Sequence, residues 1–286
     1  MDCNFLVWNV RGLNNPARRA VVRSVIFNNN VSVLCLQESK LEFVDLGIVQ
    51  QFCGSRFSDF IFAPSVGTRG GLILAWDNAM VDFCNPIISA SFIAAEGVFI
   101  QSGSKFKLIN VYGPQDDQAK LVLLDDLKQV VSGGLPVGAP CILAGDFNLI
   151  ARATDKNNLN INRRLLAAFR SFINELQLRD LYLHGRRYTW SNEQENATMV
   201  KLDRVLFNEE WDALFPSCLL QALSSEMSDH CPLLLSCDAD FKPFRRFRFE
   251  NHWVRLEGLH QTVSEAREQN PNCNDACSRL HQSLFP

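Results

Sequence analysis

The sequence predicts an α/β fold, two mixed sheets packed together with helices outside them, and three observations predict it. Short apolar runs rich in β-branched residues recur at 4–8, 31–36, 60–63, 72–76, 97–101, 106–112, 141–144, 202–207 and 231–237, each of strand length. Three longer segments carry a helical period instead. Their order also matters: one crossover helix early, then many strands with short Gly, Asn and Pro turns, then strands and helices mixed. That order fits neither a purely parallel α/β pattern nor an all-β one.

Taken in sequence, "MDCNFLVWNV" has no basic segment leading into a long apolar stretch. It reads as a strand from almost the first residue rather than a secretory signal. "PARRAVVRSVIFNN" spaces Ala17, Val21, Val22 and Val25 about three to four apart, with Asn15 as N-cap and Pro16 at the first helical position. Segments 117–131 and 162–177 repeat that period with apolar residues to one side. After Cys237 the chain becomes richer in charge and in Gln and Asn, and 252–268 reads as a modest amphipathic helix. A boundary is expected near 240, with a domain over 1–238 and a charged helical linker over 239–286. No internal repeat or low-complexity tract interrupts this plan.

Hydrophobic residues make up 47% and charged residues 21% of the chain, an ordinary globular balance rather than a disordered one. No apolar run reaches bilayer length, so no membrane association is expected. The ten cysteines include no CxxC pair, and the closest spacings, Cys231/Cys237 and Cys273/Cys277, lack a second matched pair or a suitably placed His. Cys35 and Cys141 lie inside apolar runs, where free Cys behaves as a small hydrophobe. A reducing compartment, cytosol or nucleus, follows. The net charge of −3 and pI near 6.0 argue against a surface that grips nucleic acid everywhere. Local basic clusters remain at Arg163-Arg164, Arg186-Arg187, Lys201 with Arg204, and 242–249.

The chemistry sits at the ends of the strands. "CILAGDFNLI" turns from apolar to polar at Asp146 and Asn148. "FLVWNVRGL" ends its run at Asn9, "VSVLCLQES" at Gln37-Glu38, and "KLINVYGP" delivers Tyr112 before a turn. "VKLDRVLF" carries Asp203 within an apolar strand, where a carboxylate needs a partner, and "EMSDHCPLLL" places Ser228, Asp229 and His230 before the last one. Singly, each is explained by a turn, a solvated side chain or a half-buried ring. Six strand ends of one polar kind exceed what turns explain. Glu38, Asn9 and Asp229 supply hard oxygen ligands that suit Mg²⁺ rather than zinc. His230 with Asp203 makes a base held in one tautomer, while Asp146, Asn148 and Tyr112 face the phosphoryl group under attack. Such a set performs in-line hydrolysis of a phosphate ester.

In order, "WNVRGLN", "LQESK", "NVYGP", "LAGDFN", "RYTWSN", "KLDRVL" and "SDHCPLLL" resemble the endonuclease/exonuclease/phosphatase superfamily. More narrowly, they resemble the endonuclease domain of plant LINE-type (non-LTR) retrotransposons, over about Phe5 to Cys237. The resemblance implies a four-layered α/β sandwich. It implies Glu38 as principal Mg²⁺ ligand beside Asn9, with Mn²⁺ able to substitute, and Asp229 on the metal or on His230. His230, oriented by Asp203, would be base or phosphate stabiliser. Asp146 would activate the nucleophile or protonate the leaving group, with Asn148 and Tyr112 holding the scissile phosphate. Thr189 and Ser228 would be phosphate contacts, and Arg163, Arg186, Arg187 and Arg204 would bind DNA.

The implied activity is nicking of one strand of double-stranded target DNA, leaving a 3′-hydroxyl that primes reverse transcription. DNA would be read by shape more than by base identity. Abasic-site endonucleases usually carry an acidic residue where this chain has Arg11, which speaks against that branch. "GGLILAW" and "RFRFENHW" resemble plant LINE sequence, the second lying before a reverse transcriptase in the full-length element. No YxDD-type motif is present, so the chain reads as an excised domain or a truncated element copy. A monomer made in the cytoplasm and acting in the nucleus is expected. The alternatives are another superfamily phosphoesterase, acting on abasic DNA, RNA tails or small phosphate esters, and a decayed DNA-binding fragment.

Overall fold

The computed structural model describes residues 3–239 apart from 68, 136, 137 and 226. The expected linker over 239–286 and its helix at 252–268 lie outside the described residues, save Ala239. One sheet is built from β1 (Asn4–Asn9), β2 (Val31–Gln37), β3 (Phe57–Val66), β4 (Arg69–Asp77), β10 (Leu183–His184), β14 (Leu219–Ala222) and β15 (Leu233–Ser236), in the order β10-β14-β15-β1-β2-β4-β3. The other holds β5 (Val81–Ile88), β6 (Phe92–Phe99), β7 (Lys105–Tyr112), β8 (Cys141–Asp146), β9 (Arg179–Asp180) and β13 (Asp203–Phe207), in the order β5-β6-β7-β8-β13-β9. β11 (Trp190–Ser191) and β12 (Met199–Val200) form a separate small hairpin. The helices are α1 (Pro16–Asn28), α2 (Leu46–Cys53), α3 (Asp117–Ser132), α4 (Arg163–Glu175) and α5 (Glu209–Leu214). Both sheets are mixed and flanked by helices, the α/β sandwich expected from the sequence.

The apolar runs are nearly continuous because the inner strands are covered on both faces. Along β1, Phe5 and Val7 join an inter-sheet core with Phe106, Leu108, Ile142, Ala144 and Val205. The alternate residues Leu6 and Trp8 pack instead against Val22 and Ile26 of α1 and Val49 and Phe52 of α2. On the other sheet Ile109, Val111 and Leu143 face Leu123, Leu124 and Leu127 of α3 and Phe169 and Phe172 of α4. Aromatic rings fill the centre: Phe106 meets Phe5, Phe83, Phe99 and Trp211 at centroid distances of 4.4–6.3 Å.

Asn15 caps α1 as the sequence predicts, its side-chain oxygen accepting the Ala17 amide at 2.9 Å ahead of Pro16. The run expected at 97–101 lies instead on β6, Phe92–Phe99, followed by a turn. β5 escapes the periodicity argument because it mixes exposed residues with Asn85 at φ 52° and an interrupted register between Cys84 and Ile87. α2, α5 and the two-residue strands are too short to show a period. Among the described residues, no helix is long and apolar enough to cross a membrane.

Two parallel pairs position the site. β1 pairs with β2 across the α1 crossover, and β7 pairs with β8 across α3. Registers Asn9↔Gln37 and Tyr112↔Asp146 bring four strand C-termini to polar residues together. The carboxyl ends of parallel strands are where α/β sheets generally present ligand sites.

Candidate active site

Sharp backbone turns hold the strand-end side chains. Arg11, Glu38, Lys40 and Asn148 all have positive φ, near 48–54°, a conformation costing about 1–3 kcal/mol for a non-glycine residue unless its surroundings enforce it. Here they do. The amides of Val10, Gly12 and Leu13 donate to the carbonyls of Gln37, Glu38 and Ser39 at 3.0, 2.7 and 2.8 Å. On the other sheet a Cβ on Gly145 (φ 145°) would lie 2.0 Å from the Val111 carbonyl oxygen, and one on Gly113 2.1 Å from that of Phe147. Only glycine permits the close backbone approach that sets Tyr112 beside Asp146.

Between the sheets, Asn9 is fully buried and donates its amide hydrogens to Glu38 Oε1 at 3.2 Å and Asp146 Oδ2 at 3.0 Å. Tyr112 donates its hydroxyl to the same Glu38 oxygen at 2.9 Å. Burial, together with the negative charge of Glu38, raises the Tyr112 pKa and keeps it protonated. Asp146 Oδ1 accepts the Asn148 amide at 2.9 Å, while the Asn148 side chain donates to the Gly113 carbonyl at 2.6 Å. His230 Nδ1 lies 2.8 Å from Asp203 Oδ2, and its Nε2 lies 3.8 Å from Asp146 Oδ2. Ser228 donates to the Asn9 carbonyl at 2.8 Å and accepts the His230 amide at 3.2 Å, which ties the last loop to β1.

Charge acts on these buried groups in opposing ways. Burial alone would lower the His230 pKa, but hydrogen-bonded Asp203, with Asp146 and Asp229, raises it to about 9. Burial and the neighbouring Asp203 charge push Asp146 up to about 6. The carboxylates thus favour the protonated imidazole, while burial and Asp203 hold the Asp146 carboxyl above the ordinary range.

Asp146, Asp203 and His230 form an acidic cluster, each offering a ligand atom within 4.8 Å of the others. The 2.8 Å His230–Asp203 separation is that of a direct hydrogen bond, so this pair is committed to itself. Glu38 is the carboxylate left at the partly exposed mouth. An all-oxygen donor set fits a hard cation, as does the buried Asp203 Oδ1, which has no hydrogen-bond partner among the described residues.

Two residues expected to touch phosphate or DNA are buried and engaged within the protein. Arg204 is fully buried and pairs with Asp180 at 2.7 Å and Asp155 at 2.8 Å. A guanidinium inside the sandwich needs those carboxylates and is out of reach of DNA. Thr189 is also buried, and its hydroxyl oxygen accepts the amides of Leu202 and Asp203 at 3.0 Å each. It positions Asp203 while lining the cleft at the site's rim. Arg163 is exposed at the start of α4, outside the hydrogen-bonded cluster. Arg186 and Arg187 do reach the site's rim. With Tyr188, Trp190, Ser228 and Asp229 they line a cleft of about 350 Å³, and the Arg187 guanidinium lies over the Tyr188 ring at 5.3 Å.

Three participants were not singled out by sequence reasoning. Trp190 donates its indole N–H to Asp229 Oδ2 at 2.8 Å. Asn110 links the sheets below the site, accepting from Gln37 at 2.6 Å and donating to the Leu36 and Ile73 carbonyls; an Asn inside an apolar run was its available signal. Arg11, noted only as a missing carboxylate, binds both Asp229 and Glu38.

The sequence pattern of the endonuclease/exonuclease/phosphatase family matches residues 6–230, which span every element of this site. The chain belongs to that family. Its members are metal-dependent phosphoesterases and nucleases, and this family member is such an enzyme. No curated protein matches it by sequence. Among solved structures, it is similar to an AP endonuclease from Archaeoglobus fulgidus, at 19% identity and TM-score 0.64 over 82% of this chain and 98% of that one. The endonuclease domain of TRAS1, a telomere-specific non-LTR retrotransposon, aligns at 13% identity and TM-score 0.61 over 84% and 100%. A truncated Caenorhabditis elegans TDP2 aligns at 15% identity and TM-score 0.58 over 82% and 97%. At these identities the likeness concerns the fold.

Proposed function

We propose that this enzyme is a Mg²⁺-dependent endonuclease that nicks one strand of double-stranded DNA, of the kind encoded by plant LINE-type retrotransposons. The observation that carries the reading is the facing of the His230–Asp203 pair and Asp146 across less than 4 Å, beside Glu38 and a rim bearing Arg186 and Arg187. Asp203 holds a proton on His230 Nδ1, so Nε2 is the atom presented to the phosphoryl oxygens as a donor. Asp146, held by Asn9 and the Asn148 amide, accepts the proton of the attacking water. Tyr112 and Asn148 border the scissile phosphate. Glu38, with Asn9 beside it, would hold Mg²⁺ or Mn²⁺, and the ion supplies charge neutralisation at phosphoryl oxygen.

The arginine-bearing rim favours a polyanion over a small phosphate ester, and Arg11, where an acidic residue stands in abasic-site enzymes, favours the retrotransposon branch. In that setting the 3′-hydroxyl left by nicking serves a reverse transcriptase domain, in the nucleus. The test is conversion of supercoiled plasmid to open circle at low salt with Mg²⁺, wild type beside His230→Ala. Nicking by wild type alone is expected. Equal or faster turnover of an abasic duplex or a small phosphate ester would overturn the assignment.

A further inference from the structure

Resting on the metal reading above, we propose that Arg11 is a resident cation at the Asp229 end of the site. The protein then takes one divalent ion, at Glu38, and Asp229 serves to hold the arginine.

The backbone leaves Arg11 little choice of place. Its left-handed conformation, its amide bond to Asn9 Oδ1 at 3.2 Å and the flanking bonds from Val10 and Gly12 to the Glu38 loop pin its Cα over the site. From there Nη1 bonds Asp229 Oδ2, and Nε lies 3.9 Å from Glu38 Oε2. That Asp229 oxygen also accepts the Trp190 indole N–H, so it is doubly engaged without any metal. A guanidinium stays charged at every working pH and cannot be titrated away to make room.

Charge balance points the same way. Glu38, Asp146, Asp203 and Asp229 are joined through Asn9, His230 and Arg11 into one connected cluster. Arg11 and Lys40, whose Nζ lies 3.9 Å from Glu38 Oε2, already set two fixed positive charges against those carboxylates, and one divalent ion neutralises the rest. A second ion would leave excess positive charge beside a fixed guanidinium, a repulsion that partly buried surroundings amplify.

The experiment is Mn²⁺ binding to the full chain, followed by the electron paramagnetic resonance of free Mn²⁺. Thermal melts confirm that each variant folds; Arg11 is 46% exposed at its side chain, so its replacement opens no core. Wild type is expected to bind one ion. Arg11→Gln should tighten that site about fivefold or more, the effect of removing a unit charge beside a divalent ion, and Arg11→Asp should create a second site. Asp229→Asn should change affinity by less than about threefold, because Asp229 is engaged through Oδ2 by Arg11 and Trp190 and is not a ligand on this account. Two ions in wild type, or Arg11 variants that bind as wild type does, would overturn the proposal. So would an Asp229→Asn loss matching that of Glu38→Gln. Were Glu38→Gln itself to leave Mn²⁺ binding intact, the metal reading would fall as well, which separates the two failures.

Discussion

Two clusters of buried charge lie on either side of β13 and β8, and they are put together differently. Around Arg204 nearly every valence is used. Asp155 Oδ2 accepts from Arg204 and from the amides of Ala151 and Arg152, while Asp180 accepts from Arg204 and Lys201. Only Arg204 Nε is left over. Around His230 the carboxylates outnumber the cations, Asp203 Oδ1 and Asp229 Oδ1 have no hydrogen-bond partner among the described residues, and strained backbone holds Glu38 and Asn148 in place. Saturation marks the structural cluster; spare acceptors and like charges mark the chemical one. Burial of charge by itself does not distinguish them.

Asp203→Asn is the sharpest way to test that contrast. It leaves the packing in place but removes the charge that orients and protonates His230. DNA nicking per folded molecule is expected to fall by about 10²–10⁴-fold, the usual worth of a positioned proton donor or acceptor, beyond any loss of stability from breaking the His230 pair. Nicking that persists per folded molecule would mean the site is structural after all.

Arg204→Ala should do the converse. It strands Asp155 without its cation and leaves Asp180 only Lys201, at a cost of about 3–5 kcal/mol, measured by urea unfolding. Nicking per folded molecule should persist, and it would disappear if Arg204 touched DNA.

The smallest effect is in the pH dependence, where the clusters should fail at opposite ends. Burial raises the Asp155 pKa, but Arg204 and the amide bonds outweigh it and bring the folded-state value below normal. Its contribution is therefore present above the unfolded carboxylate value and is lost as pH falls through the lower, folded one. His230 has the opposite sign. Its folded pKa of about 9 exceeds the ordinary 6.5, so its contribution is full below about 6.5 and is lost as pH rises through 9. Unfolding free energy measured in chelator should decline at both ends, with Asp155→Asn flattening the acid limb and His230→Gln the alkaline one. A His230→Gln profile identical to wild type above pH 7 would contradict the dyad.

Much of this was written locally. The inner strands are legible because two-sided burial demands unbroken apolar runs, and α1 announces itself through Asn15 and Pro16. Asn9, Glu38, Tyr112, Asp146, Asp203 and His230 stand out because polar groups at the ends of such runs need a reason. β5 was not legible, since a partly exposed strand with a bulge has no clean alternation. Nor was Asn110, whose partners Gln37 and Ile73 come from the opposite sheet.

The sequence by itself determined the layers and the roster of reactive groups, because hydrophobic period and strand-end chemistry are properties of neighbours along the chain. Only the tertiary structure decided which charges meet. It sent Arg204 and Thr189 inward to hold the scaffold, brought Trp190 to Asp229, and laid Arg11 across two carboxylates that lie 27 and 218 positions away in sequence. A local pattern can say that a charge requires a partner. The partner's identity depends on long-range packing, and with it whether that charge stabilises the fold or serves the reaction.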